Sequence, residues 1–132
     1  MNTLKIIIEK SSDYYSAYAD NCDGIYGAGK TVEEAKENVL EGLRLFIESR
    51  HTNELPDILK SEYEIVYKFD VQSFLKFFEG IFSKPALEKL TGINQKQLHH
   101  YASGMRKPRK AQREKIGRAL YGLGKELMSV EL

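Results

Sequence analysis

The apolar pattern of this chain changes its period once, near Asp70. Tyr63, Ile65, Tyr67 and Phe69 alternate with Glu64, Val66 and Lys68, the period-2 pattern of a strand with one face buried. From Val71 onward, Val71, Phe74, Leu75, Phe78, Ile81 and Phe82 recur at helical spacing. The spacing predicts a mixed first part and an all-helical second part, an α+β chain. Charge divides at the same place. Residues 1–70 hold 8 Lys+Arg and 14 Asp+Glu, a net of −6, and residues 71–132 hold 12 and 5, a net of +7. The formal +1 of the whole chain hides an acidic and a basic surface, each suited to a different kind of partner.

Within the first part, Leu4–Glu9, Tyr14–Ala19 and Ile25–Ala28 read as three short strands separated by Ser11-Ser12-Asp13 and Asn21–Gly24 turns. Thr31-x-x-Glu34 opens a helix as a capping box. Its buried stripe is Val32, Ala35, Val39, Leu43, Phe46 and Ile47, opposite Glu33, Lys36, Glu37, Glu41 and Arg44. The helix ends near Ser49, and residues 50–59, with Pro56, form a loop before the strand at Tyr63. The order β-β-β-α-β predicts a small antiparallel sheet with one helix on one face.

The second part begins with Asp70 as N-cap of a helix over residues 71–82. A short helix follows over Lys84–Thr91, with Ser83 as cap, Pro85 in the first turn and Gly92 as terminator. Asn94 caps a third helix that Gly104 ends, and a fourth begins after Pro108. It is expected to bury Ile116, Ala119, Leu120, Leu123 and Leu127. Phe77, outside the stripe of the first of these helices, suits either its own core or a dimer contact.

A hydrophobic content of 42% supports a packed core rather than disorder. The longest aliphatic run, Ile6-Ile7-Ile8, is far short of the roughly 20 residues that a membrane helix needs. The N-terminus has no cationic segment followed by an apolar one, so no secretory signal is expected. A single cysteine, Cys22, fits a reducing compartment. These features predict a cytoplasmic protein with no membrane partner.

A short helix, the turn Gly92-Ile93-Asn94 and a second helix make a helix-turn-helix signal, with Leu87, Leu90, Ile93 and Leu98 as shared core. The second helix of the pair presents Gln95, Lys96, Gln97, His99 and His100. Glutamine pairs with adenine, and lysine donates to guanine, in the major groove. Behind it stand Arg106, Lys107, Arg109, Lys110 and Arg113, and from Lys96 to Arg118 there are 8 Lys+Arg against the single acid Glu114. Phosphate binding requires that density. The expected partner is double-stranded operator DNA. One such helix pair reads one half-site, so a homodimer or higher homo-oligomer is expected. His99 and His100 point about 100° apart on a helix, with no third ligand near in sequence, so no metal is expected.

Gly24-Ile25-Tyr26-Gly27-Ala28-Gly29-Lys30-Thr31 fits the phosphate-loop pattern G-x-x-x-x-G-K-[ST]. Its context argues against nucleotide hydrolysis. A buried apolar strand should run into the first glycine, but Asp20-Asn21-Cys22-Asp23 stands there and would set two carboxylates beside the phosphates. Glycines for tight turns and a capping Thr31 account for the same residues. No acid–base or nucleophile constellation is present, so no catalytic residue or cofactor is assigned.

Two resemblances add to this reading. Ser83–Leu120 resembles the phage-repressor-like (Xre-type) helix-turn-helix family through Leu87, Gly92-Ile93-Asn94 and Gly104-x-x-x-Pro108. Glu88 departs from it, standing where that family prefers alanine. Tyr14–Ala19, Asp23-Gly24 and Gly29-Lys30-Thr31-Val32-Glu33-Glu34-Ala35 resemble the HicB antitoxin family over residues 4–47. The proline usual before the turn glycine is absent, and Lys30 occupies a site usually acidic. The resemblance implies a partial RNase H-like fold without catalysis, followed by a DNA-binding module. It also implies an antitoxin that neutralises a small HicA-like, mRNA-cleaving toxin and represses its own operon. Such a toxin is basic, so Glu9, Asp13, Asp20 and Asp23 are candidate contacts. A stand-alone helix-turn-helix regulator without a toxin is the alternative, and a phosphate-loop hydrolase a third reading.

Overall fold

Leu4, Ile6 and Ile8 alternate along the first strand and are fully buried, each contributing about 1.5–3 kcal/mol by leaving water. The computed structural model describes residues 1–132. Around that strand the chain forms β1 (Asn2–Lys10), β2 (Tyr15–Ala19), β3 (Tyr26–Gly29), α1 (Val32–Glu48), the single turn α2 (Asp57–Lys60), β4 (Tyr63–Phe69) and α3 (Val71–Phe77). There follow α4 (Lys84–Thr91), α5 (Gln95–Ser103) and α6 (Lys110–Met128). The predicted loop over 50–59 holds a 3-10 turn at Thr52–Glu54 as well as the start of α2, and it buries Leu55 and Leu59. No helix is long and apolar enough to cross a membrane.

The sheet is mixed, not antiparallel as expected. Its order is β3-β2-β1-β4, with β2 antiparallel to both β1 and β3 and β4 parallel to β1. Two hairpin reversals leave β3 running in the direction of β1. A helix then carries the chain back to the starting end, so the next strand repeats that direction. Alternation in Tyr63–Phe69 reported one open face, and it carries no information about strand direction.

The α1 helix covers one sheet face with Val32, Ala35, Val39, Leu43 and Phe46, and Thr31 Oγ1 accepts the Glu34 N–H at 3.1 Å as its cap. It lies close enough to touch the β3 backbone. A methyl group at Gly27 would sit 2.3 Å from the Val39 nitrogen, and one at Gly42 would sit 2.8 Å from the Tyr26 carbonyl oxygen. Asn38 Nδ2 donates to the Ala28 carbonyl across the same gap.

The chain divides into two compact units, Met1–Phe77 and Phe78–Leu132. The division falls seven residues beyond Asp70, because α3 lies against β1, β4 and α1 in the first unit. Asp70 performs the predicted capping and more. One carboxylate oxygen accepts from Ser73 N at 2.7 Å, and the other accepts from Lys10 N at the end of β1 at 2.9 Å. Phe77 stacks on Phe69 with centroids 5.6 Å apart, and the Lys36 ammonium lies 4.3 Å over the Tyr67 ring, so Phe77 fills its own unit's core. The predicted helix over 71–82 is therefore shorter. The Phe78 carbonyl accepts from Ile81 N and Phe82 N in a turn, and Ile81 is exposed. With this boundary the first unit holds 9 Lys+Arg and 14 Asp+Glu, and the second 11 and 5, so the charge division persists at −5 and +6.

Burial on α6 is also less than its stripe predicts. Ile116 is buried, Ala119, Leu120 and Leu123 are half-buried, and Leu127 is 61% exposed. The neighbours α4 and α5 have eight and nine residues against nineteen in α6, too short to cover its length. Because the α1–β3 contact admits no side chain, Gly27→Ala is expected to destabilise the first unit by about 3 kcal/mol in urea unfolding. Gly122→Ala, whose added carbon meets nothing within 4 Å on an exposed helix, is expected to stabilise by about 0.5–1 kcal/mol.

Candidate nucleic-acid interface

The second unit is organised by helix ends. Ser83 Oγ accepts from Ala86 N to start α4, and Gly92 closes it at φ +77°, a left-handed conformation that glycine adopts without steric cost. Asn94 Oδ1 then accepts from Gln97 N at 2.8 Å to start α5, and Gly104 closes that helix at φ +80°. Three residues thus separate two helices that pack on each other through buried Leu87, Ile93, Leu98 and Tyr101, with Leu90 half-buried. Thr91 Oγ1 donates to the Leu87 carbonyl and accepts from Ile93 N, so the buried turn leaves that hydroxyl satisfied.

This geometry sorts the candidate DNA contacts. Gln95, Lys96 and His99 lie on the exposed side of α5, and Arg106, Lys107, Arg109, Lys110 and Arg113 are exposed after it. Gln97 and His100 are half-buried. Gln97 Nε2 donates to the Tyr101 hydroxyl at 2.9 Å, and the Nδ1 of His100 is buried without a hydrogen-bond partner. Lys110 lies 3.9 Å from Glu114, and Arg113 donates to the Pro108 carbonyl. A pocket of about 560 Å³ brings Gln97, Arg106, Lys107 and Arg109 together with Tyr101 and Gln112, two residues that the sequence reading missed. Tyr101 stands four residues after Gln97, and that i,i+4 spacing is the signal that finds it. The other predicted contacts do not line this pocket.

Glu88, the departure noted on α4, has a specific role. Its carboxylate accepts from Gln95 Nε2 at 3.0 Å, tying the first residue of α5 to the preceding helix. An acidic group thus stands beside the start of the most cationic segment.

In the first unit, the phosphate-loop match forms no phosphate cradle. Residues 26–29 are extended and paired with β2, Thr31 serves as a helix cap, and Gly27 and Gly29 admit the helix backbone. No group of three His, Cys, Asp or Glu side chains is placed to hold a metal ion, and the rings of His99 and His100 lie 6.5 Å apart. The candidate toxin contacts do not form one cluster. Glu9 and Asp13 stand at the β1–β2 turn, while Asp20 and Asp23 stand at the opposite end of β2. Tyr18 lies between them on the sheet face away from α1. Desolvation raises its pKa, and the charge of Glu9, which accepts the phenol proton, adds to this, with Asp20 contributing less. Burial likewise raises the Cys22 thiol.

Comparison with family models, with curated proteins and with solved structures finds no match to this chain. Local geometry therefore carries the functional reading. The cap that orients α5 is directly testable: Asn94→Ala is expected to cost about 1 kcal/mol in chemical unfolding of the second unit.

Proposed function

We propose that this chain is a HicB-like antitoxin and autorepressor. In this reading the basic second unit binds operator DNA through a helix-turn-helix, and the acidic first unit, a partial RNase H-like fold, binds a cationic HicA-like toxin. The observation that carries it is the α4–α5 pair, two helices joined by a three-residue turn with a left-handed glycine, in a unit of net charge +6. In this reading α5 enters the major groove with Gln95, Lys96 and His99 toward base edges, and the cations from Arg106 to Arg113 meet phosphates. A homodimer, placing two copies of α5 on two half-sites, belongs to the proposal.

The division of roles rests on charge. A unit of net charge −5 is suited to attract an RNA-cleaving protein, which must itself be basic. Co-expression with a small basic protein encoded beside this one tests it: co-purification is expected, and is lost when residues 1–77 are removed. A chain without those residues that still neutralised the toxin would reject the assignment. The separation of Glu9 and Asp13 from Asp20 and Asp23 favours a second reading, a DNA-binding regulator that has no toxin partner.

For DNA, fluorescence anisotropy with a mixed-sequence duplex is expected to give an affinity that falls steeply with salt, each neutralised phosphate contributing about −0.9 to the logarithmic slope. A flat response between low and moderate salt rejects DNA binding. Glu88→Gln removes a negative charge beside α5, and is expected to tighten duplex binding by a factor of about five, from about 1 kcal/mol for a charge pair 4 Å apart in water.

A further inference from the structure

The sheet of the first unit ends in two edge strands, β3 and β4, and they differ. Along β3 the helix α1 lies close over the backbone, and Asn38 Nδ2 satisfies the Ala28 carbonyl at 2.6 Å. β4 (Tyr63–Phe69) is seven residues long and pairs with β1 alone. Its backbone groups alternate in direction. The Asn2 N–H donates to the Glu62 carbonyl and the Asp70 N–H to the Ile8 carbonyl, so the even-numbered residues turn toward β1. Ile65 and Tyr67 therefore turn their N–H and C=O groups outward, where the chain offers them no partner. An edge of this kind is a template for another strand.

The side chains of β4 are arranged symmetrically about Val66. On the face away from α1, Glu64, Val66 and Lys68 are exposed, Val66 by 43%. Glu64 and Lys68 stand four residues apart, about 13 Å along a strand, too far to pair with each other. Neither forms an ion pair within the chain, and Glu64 accepts from Thr3 Oγ1 at 3.4 Å. On the α1 face, Ile65 and Tyr67 are half-buried apolar side chains. Charge on an edge strand commonly discourages pairing. Here one charge of each sign flanks a valine at equal spacing, so a twofold-related strand sets each charge opposite its complement.

We propose that β4 pairs antiparallel with β4 of a second copy of this chain, about a twofold axis at Val66, joining two four-stranded sheets into one. In that register Val66 faces Val66 of the second copy, Ile65 faces Tyr67, and Glu64 faces Lys68. Ile65 and Tyr67 fall at hydrogen-bonded positions, where facing residues exchange both N–H···O bonds, so the outward groups of the edge are satisfied. The symmetry makes the Glu64–Lys68 pair twice, with a contact between valines at the centre. Sliding the strands by two residues sets Glu64 or Lys68 against Val66 and loses both pairs. The homodimer of the functional proposal specifies two copies of α5 and no interface. The β4 pairing joins first units, and it holds with or without DNA binding.

The test uses the full chain in sedimentation velocity from micromolar to millimolar protein, where the wild type is expected to dimerise. Glu64→Lys and Lys68→Glu, each placing like charges opposite one another, are expected to weaken the dimer about tenfold. Combining the two exchanges restores the facing pairs and is expected to recover wild-type association to within about twofold. Oxidation in air gives a second readout. Val66→Cys is expected to form a disulfide-linked dimer, since facing Cα atoms at such a position lie about 4.5 Å apart. Glu64→Cys, whose copies lie about 13 Å apart along the strands, is expected to remain unlinked. Cys22 is buried, and the wild type reports any linkage through it. The circular dichroism of each variant checks folding. If the combined exchange does not restore the dimer, or Glu64→Cys links as readily as Val66→Cys, the register is refuted. A dimer that the charge variants leave intact and Val66→Cys does not link refutes the β4 interface, while the homodimer of the functional proposal stands. A chain that stays monomeric throughout refutes both, and leaves the edge to a strand of another protein.

Discussion

The first unit depends on how closely α1 lies on β3. Most helices rest on a sheet through side chains, but here Gly27, Gly29 and Gly42 let backbone meet backbone, and Asn38 donates across the contact to Ala28. That approach sets the depth at which Val32, Ala35, Val39 and Leu43 reach Leu4, Ile6 and Ile8. It also explains why a segment with the spacing of a nucleotide-binding loop is a strand. Glycine serves both purposes because it lacks a Cβ, and the neighbouring structure decides between them.

Asp70 is the second fixed point. Its two carboxylate oxygens hold the end of β1 and the first turn of α3, so the parallel strand and the following helix are anchored by one residue. Phe69, Phe77, Tyr67 and Lys36 then close that side of the core by stacking and cation–π contact. In the second unit the equivalent work is done by helix ends. Left-handed glycines at 92 and 104 stop α4 and α5, and the short joints hold the cationic connection after α5 against α6. Three of the exposed cations, Arg106, Lys107 and Arg109, are thereby brought around one pocket.

Much of this was legible in advance. Thr31, Ser83, Asn94 and Asp70 were readable as caps, because a cap is a contact between residues three apart in sequence. The stripe from Val32 to Phe46 was readable because periodicity reports a buried face. Other features were not. Strand direction follows from the crossover and leaves no mark on the alternation of Tyr63–Phe69. Ile81 and Leu127 fit apolar stripes yet stay exposed, since a stripe records a capacity for burial and a neighbour must supply it. Glu88 was recognisable as unusual, but its bond to Gln95 required the two helices to be in place. The four acidic candidates looked equivalent in sequence, and strand geometry separates them into two pairs.

The sequence by itself determined the two-part organisation, the opposed charges, the caps that start α1, α3, α4 and α5, the glycines that stop α4 and α5, and the cationic residues available to a partner. These are local or additive properties, carried by nearest neighbours, periodicity and counting. Only the tertiary structure decided that α3 belongs with the sheet and that β4 runs parallel to β1. Those outcomes depend on side chains far apart in the chain competing for one volume, a competition that no single segment encodes.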